Sequence, residues 1–245
     1  MAQIRHLRNA PIVEALIDIR VEARQDFRGE LFEEVKAAVA TEYPKVEERR
    51  GVTLQLAFGG PQPQPQVQQH GLDGFFFRSA DEKEVIQFRS DGFTFNRLQP
   101  YTSWEQILPP ALRFLEMYLK SARPRAINRV ATRYINRIRL PSPRFEEYLT
   151  SPPRGVPGTR GSIAGFTEVA VTSEHANAMV TFTQSIEASV PAVEAPSILL
   201  DIDAFRADPF DTTVHEVKTR LELLHDLKNR VFFGSLTESA VRLFQ

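Results

Sequence analysis

The chain has 245 residues, 42% of them hydrophobic and 25% charged, with 30 Lys plus Arg against 31 Asp plus Glu and no cysteine. Such a length accommodates one large domain or two small ones, and the lack of cysteine excludes disulfide scaffolds, thiolate zinc sites, iron–sulfur clusters and cysteine nucleophiles. A net charge of −1 excludes the globally basic signature of many nucleic-acid binders while leaving room for a local patch, and no stretch approaches the ~18 uninterrupted apolar residues of a membrane span.

The opening MAQIRHLRNAPIVEALIDIRVE holds no apolar run of signal-peptide length, because Glu14, Asp18 and Arg20 interrupt it. Together with the absent cysteines this gives the expectation of a cytoplasmic protein with no membrane partner. Residues 12 to 21 alternate, with Val13, Ala15, Ile17, Ile19 and Val21 on one face and Glu14, Asp18 and Arg20 on the other, as in a half-buried strand. Asp26 is placed to cap a helix bearing Leu31, Phe32, Val35 and Val39, which Pro44 stops by Tyr43.

Strands are predicted over 46 to 58, 74 to 78, 84 to 90 and 93 to 98, with Ser90-Asp91-Gly92 as a hairpin turn. Between the first two lies GGPQPQPQVQQH, residues 59 to 70, which reads as an extended loop. A plain insertion is favoured there over docking through polyproline geometry. Ser103 and Gln106 have capping-box spacing, and Leu112, Leu115 and Leu119 carry an apolar stripe to about Lys120. Pro109 and Pro110 imply either a short turn at 103 to 108 before a helix with proline in its first turn, or one helix kinked there.

A second cycle follows: a strand over 126 to 140, a short helix from Arg144 to Leu149, the loop TSPPRGVPGTRGS at 150 to 162, strands near 163 to 172, 177 to 188 and 197 to 205, and a helix from about 212 to 231. Val214, Val217, Leu221, Leu224 and Val231 form the buried stripe of that helix, and Ser235 with Glu238 suggests a box for a terminal helix bearing Val241 and Phe244. The order strand, helix, strands, helix thus occurs in 12 to 120 and again in 126 to 231. The expectation is a single α+β domain over 1 to 245, a large mainly antiparallel sheet with long helices packed on one face, and the two halves read as a pseudo-duplicated unit.

The most unusual local feature is an acid-free interval from Met117 to Phe145 with seven arginines. If 125 to 139 is one strand, Arg125, Arg129, Arg133, Arg137 and Arg139 share a face by parity, and a row of planar, permanently charged donors suits phosphate or carboxylate groups. Helical spacing is equally satisfied by Arg125, Arg129, Arg133 and Arg137, but Val130, Thr132, Tyr134, Ile135 and Ile138 favour a strand. The favoured reading is an internal ion-pair lattice with Glu14, Asp18, Glu22, Asp201 and Asp203 on neighbouring strands. An anion or nucleic-acid surface comes second, and a protein interface third.

Other constellations are weak. His215 and His225 lie ~15 Å apart along a helix and do not share a metal; His225 beside Asp226 is more simply an exposed helix edge than part of an acid/base site. His6, His70 and His175 have no ligand-like spacing. Asp201 and Asp203 share a strand face where two carboxylates suit a hard cation or acid/base work, though pairing with arginine is favoured. No G-x-S-x-G elbow, Walker loop, G-x-G-x-x-G or H-E-x-x-H occurs. The run Phe75, Phe76 and Phe77 and the group Phe88, Phe93 and Phe95 read as core rather than as a stacking platform.

Four segments, LRNAPIVEALIDIRVE, SDGFTFNRLQPYTSWE, RVATRYINRIRLP and HDLKNRVFFGSLTE, spread over 7 to 238, resemble a sporadically distributed bacterial family of unknown function, about 250 residues long, with an N-terminal NAPIVEA-type motif. The resemblance implies no catalytic residue and no cofactor. Sporadic occurrence implies an accessory, defence or toxin–antitoxin setting. The functional expectation is a nonenzymatic binding or interaction module with a protein partner or a second copy of itself. The alternatives are an anionic-ligand or nucleic-acid binder using the arginine strand, and an enzyme that uses Asp201, Asp203 or His225.

Overall fold

Alternation in β1, Ile12–Glu22, buries Ala15, Ile17, Ile19 and Val21 and turns Glu14, Leu16, Asp18 and Arg20 to the opposite face, as the period of a strand requires. The computed structural model describes residues 5–57, 64–154, 166–174, 177–187, 197–210 and 213–245, with the backbone alone for 51–57 and 64–70. The other strands are β2 Lys45–Ala57, β3 Gln64–Arg78, β4 Glu84–Arg89, β5 Gly92–Leu98, β6 Ala126–Arg139, β7 Thr167–Ser173, β8 Ala178–Glu187 and β9 Ser197–Arg206. They form one sheet in the order β2-β3-β4-β5-β1-β6-β9-β8-β7, and every neighbouring pair is antiparallel.

The helices are α1 Glu33–Val39, α2 Trp104–Ala122, α3 Val214–Ser235 and α4 Glu238–Val241. α2 and α3 are long; α1 and α4 are short. Phe114, Tyr118, Leu221 and Leu224 from the long helices share one apolar core with Ile17, Phe88, Phe95, Tyr134 and Leu200 of the sheet. Of the phenylalanines of β3, β4 and β5 expected in the core, Phe75, Phe77, Phe88, Phe93 and Phe95 are fully buried, whereas Phe76 falls on the other face by alternation and is half-buried. The rings of Phe75, Phe77, Phe88 and Phe93 with Tyr118 make tilted and edge-on contacts 5.4 to 6.1 Å apart, the geometry that the ring quadrupole prefers.

Several local expectations are corrected. Asp26 caps nothing; it pairs with Arg24, and a 3-10 turn at Gly29–Phe32 leads into α1. Part of the Pro-Gln segment is strand, since 64–70 belong to β3 and pair with β2, while 58–63 lie outside the described residues. β4 pairs with β3 only from Gly74 onward, so Pro65 sits in a two-stranded ribbon with one side unpaired within the sheet, where a missing N–H is tolerated. Ser90-Asp91 makes the expected tight turn. Gly92 is required there because a Cβ would lie 2.2 Å from the Ile19 carbonyl oxygen.

Of the two alternatives for 103 to 122, the single helix is correct: α2 contains both Pro109 and Pro110. Its N-cap residue is Ser103, but the hydroxyl makes no cap bond; the Ser103 carbonyl instead accepts from the Gln106 N–H at 3.3 Å. The buried stripe runs through Trp104, Ile107, Ala111, Phe114, Leu115 and Tyr118, with Leu112 and Leu119 at its margin. Residues 144–149 hold a 3-10 turn at Phe145–Glu147 rather than a helix. The chain after α3 is capped by Thr237, whose hydroxyl accepts from the Ala240 N–H, whereas Ser235 ends α3 and donates to the Phe232 carbonyl.

Candidate ligand-binding cavity

The arginines of β6 lie opposite the apolar core. Asn128 is skipped in the pairing of β6 with β1, where Arg20 faces Arg129 and Val21 faces Ile127. This bulge resets the alternation: Ile127 is fully buried, and Arg125 falls outside β6 and out of phase with Arg129, Arg133, Arg137 and Arg139. The five therefore do not share one face; four do.

Carboxylates on flanking strands meet most of them. Arg129 donates to Asp18 of β1 at 2.9 Å and to Asp203 of β9 at 2.6 Å. Arg133 holds Asp201 through two bonds, Arg137 holds Glu187 through two more, and Arg125 reaches Glu22 at 3.3 Å. Arg139 is exposed and has no carboxylate within 4.0 Å among the described residues. Asp18 is the hub, 7% exposed, and accepts from Arg89, Thr94, Arg20 and Arg129. Burial alone would raise its pKa, but the Arg20, Arg89 and Arg129 charges with the Thr94 hydrogen bond hold it below the ordinary value. Asp203 goes the other way, because burial and the Asp18 and Asp201 charges outweigh Arg129 and Arg133. Asp201 and Asp203 thus stand on one face as expected, each committed to arginine. No cluster of three or more metal-ligating side chains occurs among the described residues.

A different place concentrates unusual chemistry. A cavity of about 320 Å³ opens between the segment from Arg5 to Ile12, residues Tyr101 to Glu105 at the start of α2, Asn136 of β6, and the last turns of α3. Its volume falls at the small end of ligand pockets. His225 of α3 stacks on the Trp104 indole with centroids 4.3 Å apart and planes 7° from parallel. Tyr101 and Tyr134 meet edge to face, their hydroxyls 3.4 Å apart. Lys228 is 5% exposed, with Nζ 3.6 Å from the Tyr134 ring centroid and donating to Asn229 Oδ1 at 2.7 Å.

Electrostatics follow from that enclosure. Burial, with the Lys228 charge nearby, depresses the His225 pKa to about 3, and Glu105 opposes this weakly. Burial also brings Lys228 down to about 7 and pushes the Tyr134 hydroxyl well above its usual range. Lys228 has no carboxylate within 4.0 Å among the described residues. The other strongly buried cations are both paired: Arg89 with Asp18 and Asp91, Arg220 with Asp208 and Glu216.

His225 is accordingly no exposed helix edge, whereas His215 is exposed. Lys228 was missed by sequence reasoning, although the signal was present. It stands four residues after Leu224 and eleven after Val217, on the stripe that faces the core. A lysine at an apolar position of an amphipathic helix is the anomaly that points here. No protein-family model and no curated protein matches this sequence.

Proposed function

We propose that the protein is a small-molecule binding module whose ligand occupies the cavity under the end of α3. The observation that carries this reading is Lys228, a buried amine packed on the Tyr134 ring, with no carboxylate within 4.0 Å among the described residues, at the wall of a space large enough for a small ligand. Burying such a group is costly unless something compensates it, and pockets built for ligands combine apolar walls with a few polar groups that set orientation. The ligand class is a flat, mainly apolar molecule bearing an oxygen acceptor for Lys228 or Asn229. Thermal-shift and calorimetric titration with benzoate, benzyl alcohol and benzaldehyde tests the reading: saturable stabilisation by at least one, abolished in Lys228→Met, is expected. Absence of any shift or heat with all three in the folded wild-type protein would overturn it.

In this reading the protein acts in the cytoplasm as a nonenzymatic component of a bacterial accessory or defence system, and a protein partner or second copy senses the occupied state. The four resembling segments support that setting, and one of them contains Lys228. The arginine face remains a second candidate, for anions or nucleic acid, through the exposed Arg139 and the groove of about 340 Å³ lined by Arg20, Arg89, Arg129 and Arg133. Most of its donors already serve carboxylates, which places it behind the cavity. The sheet order supports reading 12 to 120 and 126 to 231 as a pseudo-duplicated unit: the first strand of each half pairs with the last strand of its own half, and the two first strands pair with each other.

A further inference from the structure

Lys228 differs from the other buried cations in a way that simple ion binding does not require. Arg89 and Arg220 each touch two carboxylates, which fixes their charge in place. Among the described residues, Lys228 Nζ donates to one acceptor, the side-chain oxygen of the adjacent Asn229. Asn229 in turn lies 3.5 Å from His225 Nε2 through its own amide nitrogen, so the acceptor is held by a ring that is itself stacked on Trp104. The amine thus sits at the wall of a cavity, oriented by an amide and packed on an aromatic face, with no carboxylate within 4.0 Å among the described residues to hold it as an ammonium.

From this arrangement we infer that Lys228 captures an aldehyde or ketone as a reversible imine inside the cavity. The inference rests on the cavity being a ligand site and specifies the ligand as a carbonyl compound with a flat apolar body. A lysine desolvated among apolar groups is a recurrent means of obtaining a neutral amine near pH 7, and the depressed pKa agrees with this.

The chemistry is balanced by the amine and carbonyl alone. The Nζ lone pair adds to the carbonyl carbon, a C–N bond forms, and the C=O π electrons move to oxygen. Both protons lost by the nitrogen end on that oxygen, which departs as water as the C=N bond closes. No redox partner is needed, and hydrolysis reverses the step. Lys228 is buried on the Tyr134 ring, and this desolvation around the bond favours the dehydrated form. Asn229 Oδ1 accepts from the attacking nitrogen and so orients its lone pair.

The test uses the full chain with benzaldehyde and sodium cyanoborohydride at pH 7, followed by intact mass and peptide mapping. Reductive trapping of a single benzyl group at Lys228, at least ten-fold faster than at Lys36, Lys45, Lys83, Lys120 or Lys218, is the expected result. Lys228→Arg, which keeps the charge, should lose the fast adduct while remaining folded by circular dichroism. Modification confined to the exposed lysines and the N-terminal amine of the wild-type protein would overturn the inference whatever the variant does. Benzoate and benzyl alcohol, which cannot form imines, separate the two levels. If they bind and no adduct forms at Lys228, the cavity stands and imine capture falls; if they do not bind and no adduct forms, both fall.

Discussion

His225 shows how one residue reports the character of the cavity. Its ring is pressed against Trp104, and burial together with the Lys228 charge lowers its pKa from 6.5 to about 3, against a weak opposing effect of Glu105. The unfolded chain therefore binds a proton between about pH 6.5 and 3 that the folded chain refuses. Stability is unaffected by this group above pH 6.5 and falls as pH drops below it, approaching about 1.4 kcal/mol per pH unit from this group alone. Urea denaturation from pH 7 to 4.5 should show that slope in the wild-type protein and lose about that much of it in His225→Phe, which retains an aromatic ring against Trp104. An unchanged slope would mean that the imidazole is hydrated rather than enclosed against Trp104. Lys228 acts with the same sign at higher pH: its folded value of about 7 lies below its ordinary 10.5, so its contribution rises between those limits and is lowest at and below neutrality. The same residue pair thus makes the cavity a region of stored electrostatic cost, the usual mark of a site kept for binding or chemistry.

At the scale of elements, the arginine-rich β6 works as a tie between strands. Asp18 of β1 receives Arg89 of β4 and Thr94 of β5 on one oxygen, and Arg129 of β6 with Arg20 on the other, and Arg129 continues to Asp203 of β9. One carboxylate thereby joins the two halves of the sheet. Asp18→Asn keeps the shape but leaves the buried Arg89 with the exposed Asp91 as its remaining counter-charge, so a loss of about 3 kcal/mol in unfolding free energy is expected by chemical denaturation. A loss below about 1 kcal/mol would reduce the lattice to surface pairing.

The carboxylate partners were legible in part, because strand parity depends only on counting: Asp18, Glu22, Asp201 and Asp203 meet arginines of the row, whereas Glu14, expected among them, accepts from Asn96 instead and Arg137 takes the unforeseen Glu187. The single face was not, because a bulge at Asn128 shifts the count by one and leaves no signature in a run such as AINRVATR. Composition misled at 64–70, where glutamine and proline conceal a strand whose pairing partner, β2, decides the outcome. The cap of the terminal helix was misplaced by two residues, at Ser235 instead of Thr237, since several hydroxyl side chains near a helix end satisfy the same spacing rule. The cavity was invisible for another reason: Tyr101, Tyr134 and Lys228 are separated by 33 to 127 positions and meet only when α3 packs on β6.

The whole molecule is organised about the antiparallel seam of β1 and β6, with β5 and β9 outside it and the sheet ending in β2 and β7. If the halves 12–120 and 126–231 are repeats of one plan, that seam is the axis that relates them, and neither half closes without it. Helix contacts point the same way, because α3 packs on β6 and β9 while α2 meets both β5 and α3. The inward residues of β1, Ala15 to Val21, are among the most buried in the chain. β7, by contrast, is the last strand of the sheet and leaves Val169 and Val171 60% and 58% exposed, so its amides depend on one ladder only. Local opening should therefore begin at β7, where few apolar contacts resist it, whereas β1 and β6 should open only with the entire core. Native-state hydrogen exchange should find the amides of residues 15–20 and 130–138 the slowest, with a common free energy equal to that of global unfolding, and those of β7 the fastest of any strand. Exchange in which the slowest amides of 12–120 and of 126–231 have separate free energies would mean that the halves unfold independently and that the seam is an interface between two domains. A common value would instead make β1 and β6 the shared centre of one cooperative unit, with the Lys228 cavity anchored to its most stable part through Asn136 and Tyr134.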